Sequence, residues 1–193
     1  MHPKTVRERE DLARRDVKLI AAYGSGRRVL DVGAGPGVFS ALAADAGFLP
    51  VPFDFNHDAA RLWRMPGVCG DALHLPFRTA SFDVVRAKDL IEHLITPLAF
   101  VRDVHRILKP DGILVMHAQS VWSLIYPVAN FWDCYEHVRP FTRNSARHLV
   151  EDGGFAVRTM LGYTASRNLV ERGIAAVLAR LAPYSYIVVA QKT

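Results

Sequence analysis

The chain has 193 residues, half of them hydrophobic and 22% charged, which suits one folded domain with a full core and excludes a disordered or low-complexity chain. Its formal charge is +5 and its pI about 9.5, but bases alternate with acids, as in Arg7-Glu8-Arg9-Glu10-Asp11, so the charge reads as a solvated surface rather than a nucleic-acid track. The two cysteines, Cys69 and Cys134, make no disulfide framework; with no leader-like opening and no apolar run near 18 residues, a cytoplasmic protein without a membrane span is expected.

In chain order, Val6 to Tyr23 reads as an amphipathic helix, with Leu12, Val17, Leu19 and Ile20 on one face, stopped by Gly24-Ser25-Gly26. Val29 to Val32 is a strand. Pro36 to Ala46 is a helix closed by Gly47, and Leu49 to Phe53 a second strand. Asn56 is suited to cap a helix running to Trp63. Short strands follow at Gly67 to Gly70 and Ser81 to Arg86, then a helix from Pro97 to Leu108, a turn at Lys109-Pro110-Asp111-Gly112, and a fifth strand from Ile113 to His117. Gln119 to Pro140 is aromatic and irregular. Asn144 to Asp152 and Leu169 to Leu181 read as helices, Phe155 to Leu161 and Tyr184 to Ala190 as strands. Strand and helix alternate, which implies right-handed βαβ units and a parallel sheet covered on both faces.

The segment Val29-Leu30-Asp31-Val32-Gly33-Ala34-Gly35-Pro36-Gly37 is the most informative stretch. An apolar strand ends in a carboxylate, and a glycine turn leads into a helix. Gly33 and Gly35 let backbone approach a ligand closely. A second acid, Asp54, ends the next apolar run. This is the layout of a nucleoside-binding crevice at the carboxyl edge of a parallel sheet. The glycine spacing departs from the dinucleotide fingerprint G-x-G-x-x-G, and Pro36 removes an N–H that a pyrophosphate would use.

With these residues in place the chain resembles the class I S-adenosylmethionine-dependent methyltransferases of the small-molecule type. The glycine segment matches that family's first motif. Asp54 matches its second acid, and Gly70-Asp71-Ala72-Leu73-His74-Leu75-Pro76-Phe77 its adenine segment. Ser81-Phe82-Asp83-Val84-Val85, Leu90-Ile91-Glu92-His93-Leu94 and Arg106-Ile107-Leu108-Lys109-Pro110-Asp111-Gly112 follow in the family's order. The resemblance implies a doubly wound, mostly parallel, seven-stranded α/β sheet of Rossmann-like form with an antiparallel C-terminal strand. It implies a single domain over 1–193, with an N-terminal helix in 1–27 and an acceptor-pocket insertion at 119–142.

It also implies the binding roles. Gly33, Ala34 and Gly35 pass under the methionine portion and ribose of S-adenosylmethionine. Asp54 accepts from the ribose hydroxyls, Asp71 from the adenine amine, and the Ala72 N–H faces a ring nitrogen. Phe55 and Leu73 flank the adenine. Asp31 serves either the methionine amino group or the turn itself. Lys88, with Asp89, is either pocket floor or an exposed loop pair.

Methyl transfer from a sulfonium needs alignment, and a base only where the acceptor loses a proton. Two histidines are candidates. His137 lies in Tyr135-Glu136-His137-Val138-Arg139-Pro140-Phe141-Thr142, and His93 follows Glu92; His93 reads equally as a partner of Glu92 at a helix start. Thr142 is placed to cap the next helix, and Arg139 to hold an acid. The two histidines and a glutamate have no ligand spacing, so no metal is expected. The aromatic stretch from Trp122 to Tyr135 is either a lid over a planar or apolar acceptor or packing at the sheet edge.

The function expected is methyl transfer to a small molecule, at oxygen. A nucleic-acid or protein methyltransferase is the nearest alternative; the first would carry an Asn/Asp-Pro-Pro-aromatic or Pro-Cys signature, where this chain has Arg86-Ala87-Lys88-Asp89. A nicotinamide-dependent oxidoreductase and a non-catalytic cofactor-binding protein are the other classes.

Overall fold

A computed structural model describes residues 6–125, 131–164, 177 and 180–193. Its elements in order are α1 (Val6–Tyr23), β1 (Arg28–Val32), α2 (Val38–Asp45), β2 (Leu49–Asp54), a one-turn α3 (His57–Ala60), β3 (Val68–Cys69), β4 (Phe82–Ala87), α4 (Pro97–Ile107), β5 (Leu108–Gln119), α5 (Arg143–Asp152), β6 (Phe155–Tyr163) and β7 (Ser185–Lys192). Three short 3₁₀ turns, Ile91–His93, Val121–Ile125 and Phe131–Asp133, decorate the chain around β5. The expected helix over Leu169 to Leu181 and the aromatic Tyr126 fall largely or wholly outside the described residues.

The seven strands lie in the order β3-β2-β1-β4-β5-β7-β6. The first five are parallel, and β7 runs antiparallel to both β5 and β6. The doubly wound, mostly parallel sheet with an antiparallel C-terminal strand is therefore as the sequence implied. Strand order reverses between β1 and β4, and the crevice outside their carboxyl ends is where such sheets bind ligands.

Side chains along the strands alternate between the two faces. Val29, Val84, Ile113 and Val115 pack with Leu12, Ala13 and Ile20 of α1 and Phe39 and Ala43 of α2. Leu30, Val85, Leu114 and Met116 point the other way, toward Phe100, Val101, Val104 and Ile107 of α4 and Ala146 and Val150 of α5. No helix among the described residues is long and apolar enough to cross a membrane.

Three local outcomes differ from the sequence reading. The helix after β2 ends at Ala60, well before Trp63, because the Trp63 indole turns away to donate to the Gly35 carbonyl (2.7 Å). Helix α2 starts at Val38, with Gly37 left-handed at its N-cap (φ 79°). Strand β5 starts at Leu108, and the Lys109 to Gly112 turn is an irregularity within it: Phe82 pairs Leu108, but Val84 pairs Ile113.

At the amino edge of the sheet Asp83 ties three strands together. Its carboxylate accepts from Arg27 N (3.1 Å) and Arg28 N (2.8 Å) of β1 and its approach, and from Lys109 Nζ of β5 (2.7 Å). Burial pushes this carboxyl up, but Lys109 and the two amides outweigh it and hold it below its ordinary value.

Candidate functional site

The glycine turn leaves β1 at the switch point. Gly33 N and Ala34 N both donate to the Phe53 carbonyl of β2 (2.9 and 3.1 Å), which fastens the turn to its neighbouring strand. Gly33 is left-handed (φ +74°), and a Cβ there would lie 3.0 Å from the Lys88 carbonyl. A side chain there would be strained by the backbone and crowded by that carbonyl between the β1 and β4 loops. Gly35 is also left-handed (φ +51°), yet a Cβ on it would meet nothing within 4 Å. The turn is thus packed behind and open in front.

Asp54 closes one side of this opening. One carboxylate oxygen accepts from Gly35 N (2.7 Å) and the other from Asn56 N (2.9 Å). Each oxygen keeps a second lone pair for a hydroxyl donor. Asn56 caps α3, accepting from Asp58 N and Ala59 N. Phe55, beside Asp54, is 75% exposed, a bare aromatic face at the rim. Asp71 lies at the end of the neighbouring β3 segment and is well exposed. Its carboxylate accepts from Leu73 N (2.9 Å) and faces His74 Nδ1 (3.0 Å); the Leu73 amide first, and His74 second, hold it below its ordinary value. Ala72 is buried and Leu73 half-buried against the core. The acceptor set and open turn fit an adenosine: carboxylate acceptors at adjacent strand ends, and an aromatic face beside them.

Asp31 is placed differently. It is fully buried. One of its oxygens accepts from Ser40 Oγ (2.8 Å), the other from Arg86 Nη1 (2.7 Å). Arg86 also donates to Asp16 of α1 (2.7 Å), which faces His117 Nε2 of β5 (3.0 Å). Of the two readings of Asp31, this geometry favours support of the turn from behind. Burial pushes the Asp16 carboxyl up, but His117 and Arg86 outweigh it and bring it down to about 2. Burial holds the His117 ring below its ordinary value against the pull of Asp16. The Lys88 ammonium is mostly buried and pairs with Asp89.

The insertion at 119–142 is closed at its base. Phe141 N donates to Gln119 O (2.8 Å) and Val121 N to Phe141 O (2.9 Å), so its two ends leave the sheet together. Thr142 caps α5 through a reciprocal pair with Ser145. Arg139 donates to the Ile95 carbonyl (3.0 Å) rather than to an acid. Val138 N donates to the Glu92 carbonyl (2.8 Å), which draws the insertion onto the 3₁₀ turn that carries His93. The His93 and His137 rings meet edge to face at 4.6 Å. Burial lowers the His137 imidazole from its ordinary value; its bond to the Phe131 carbonyl (2.6 Å) opposes that, His93 adds to it, and Asp89 opposes it. The neutral ring prevails near pH 7.

Several residues of the site were not found by sequence reasoning. Trp63 carries no motif, and Asp16 stands 70 positions from Arg86 and 101 from His117. Cys134 joins the histidine pair: His93, Cys134 and His137 each bring a ligating atom within 4.8 Å of the others. The spacing Cys134-x-x-His137 was a legible signal for that group, although no metal was expected.

The profile of a family described as a methyltransferase domain matches residues 6–160. A probable S-adenosylmethionine-dependent methyltransferase of Mycolicibacterium smegmatis is 30% identical over 156 residues, covering 76% of this chain and 59% of the relative. A demethylmenaquinone methyltransferase of a Mycobacterium species is 34% identical over 106 residues, covering 53% of this chain and 46% of the relative. The chain thus spans about half the length of the curated relatives it matches. Among solved structures, an S-adenosylmethionine-dependent methyltransferase from Archaeoglobus fulgidus superposes with a TM-score of 0.74 at 23% identity, over 95% of this chain and 94% of that one. That likeness shows the fold.

Proposed function

The chain belongs to the class I S-adenosylmethionine-dependent methyltransferases, and from that premise we propose that it moves a methyl group from S-adenosylmethionine to an oxygen of a small-molecule acceptor. The observation that carries the cofactor half is the glycine turn. It is packed against Lys88 at Gly33, open at Gly35, and flanked by the Asp54 carboxylate.

When bound, S-adenosylmethionine supplies an electrophilic methyl on a sulfonium that leaves as a neutral thioether. The chain's own residues hold and align it. Asp54 accepts from the ribose hydroxyls with the lone pairs left by Gly35 and Asn56. Gly33, Ala34 and Gly35 give the tail close passage over the turn. Asp71 and the Ala72 amide take the adenine edge, with Phe55 and Leu73 against its faces. Lys88, held by Asp89, closes the floor.

The acceptor half rests on the insertion. His93 and His137 are the place where an acceptor hydroxyl loses its proton, because burial keeps His137 neutral and its Phe131 bond leaves Nε2 with the lone pair. The exposed aromatic rings of Trp122, Trp132 and Tyr135 suit a planar, apolar acceptor. The relative named for demethylmenaquinone favours the same class.

Calorimetric titration with S-adenosylmethionine and with its demethylated thioether tests the cofactor reading. One-to-one binding of both, with no heat from nicotinamide dinucleotides, is expected. Silence with both ligands would end it. Turnover with hydroxylated aromatic acceptors tests the oxygen assignment.

A further inference from the structure

The three groups that meet at the acceptor side are a thiol and two imidazoles, a set that matches no step of adenosine binding. We propose that His93, Cys134 and His137 form a site for a divalent ion of the zinc class. One ligating atom from each lies within 4.8 Å of the others. Ligands 2.0 to 2.3 Å from one ion stand roughly 3.3–3.8 Å apart, so the set closes by about 1 Å to bind.

Three further features favour an ion here. The His137 Nδ1 donates to the Phe131 carbonyl (2.6 Å), which is the outer bond that metal-ligating imidazoles use to fix their tautomer and aim the other nitrogen. Cys134 and His137 lie one helical-turn step apart, and His137 N donates to the Cys134 carbonyl (3.1 Å), so a single turn presents both. The Val138 bond to the Glu92 carbonyl brings that turn to His93. A mixed sulfur and nitrogen set selects zinc over magnesium or calcium, which want oxygen.

Three protein ligands leave one tetrahedral position for an oxygen ligand, the arrangement of catalytic rather than structural zinc. That position belongs to water or to the hydroxyl of an acceptor. The ion and a proton compete for the same His137 lone pair, so the ion takes over from the imidazole the task of loosening the acceptor's proton. This last role rests on the methyl-transfer reading; the ion site does not.

The test is titration of the metal-stripped full chain with Zn²⁺ by calorimetry, and with Co²⁺ by absorption spectroscopy. One equivalent of Zn²⁺ should bind, and Co²⁺ should give a near-ultraviolet thiolate charge-transfer band. Cys134→Ser should abolish the band and, like His137→Gln, weaken Zn²⁺ binding by more than about 100-fold. Cys69→Ser, the other thiol of the chain, should change neither. Absence of stoichiometric uptake, a band that survives Cys134→Ser, or unchanged affinity in both variants would overturn the site. S-adenosylmethionine titration of the same metal-free sample reports on the cofactor reading separately, so failure of one is distinguishable from failure of the other.

Discussion

At the scale of single residues, two glycines two positions apart have different jobs. Gly33 is left-handed and faces the Lys88 backbone, which has no flexible end to move aside. Gly33→Ala should therefore destabilise the fold, by about 1–3 kcal/mol, as measured by urea unfolding. Gly35 faces open space. Gly35→Ala should cost only about 1 kcal/mol of stability while its methyl enters the ligand's room, and S-adenosylmethionine affinity should fall by about tenfold or more. Equal effects of the two variants on affinity and on unfolding would show that the turn does not divide in this way. Asp54→Ala removes a carboxylate that accepts from Gly35 and Asn56 and from the ribose, and should weaken cofactor binding by about 1.5–3 kcal/mol, roughly 10- to 150-fold by calorimetry. These residues were legible in the sequence because each stands within a few positions of a strand end, where the chemistry of a turn is written locally. Asp31 reads the same way locally and yet is spent on Ser40 and Arg86. Its partners come from α2 and β4, and no local pattern names them.

At the scale of elements, α1 is joined to the sheet by more than its apolar face. Asp16 reaches into the layer between α1 and the strands, and there meets Arg86 of β4 and His117 of β5. The periodicity of Leu12, Val17, Leu19 and Ile20 made α1 legible as an amphipathic helix, but nothing in that periodicity singles out Asp16. Its role emerges only once two strands, β4 and β5, bring their partners to it. Asp16→Asn should cost about 3 kcal/mol at pH 7, since it leaves Arg86 buried with one carboxylate partner where it had two. Because the folded carboxyl titrates near 2 rather than at its ordinary 3.8, the ionised form stabilises the native state above pH 4. That contribution, about 2 kcal/mol, is lost as the pH falls from about 4 toward 2. Urea unfolding of the wild-type chain across this window should show the loss, and the Asp16→Asn chain should lack that share of it. Burial holds the neighbouring His117 ring below its ordinary value, against the pull of Asp16.

At the scale of the whole molecule, the order β3-β2-β1-β4-β5-β7-β6 puts the glycine turn, Asp54, Lys88 and the histidine pair at one edge. Cofactor binding should then stabilise the entire sheet. At a ligand concentration 100 times its dissociation constant the gain is about 2.7 kcal/mol, an upward shift in melting temperature of about 5–10 °C for a domain of this size. Scanning calorimetry with and without S-adenosylmethionine measures it directly. Strand alternation and the parallel half of the sheet could be read from the apolar runs. Of the histidine–cysteine group only the Cys134-x-x-His137 half was legible; that His93 completes it was not, because two segments about forty positions apart are drawn together by backbone bonds to the Glu92 carbonyl. The opposite edge has its own logic. Asp83 holds the starts of β1 and β5 to β4 there, so strand alignment is set far from any ligand. Loops at the ligand edge are thereby released from the duty of keeping the strands in step. Residues 119–142, whose two ends leave the sheet together, can then be lengthened, shortened or replaced while the scaffold keeps its register.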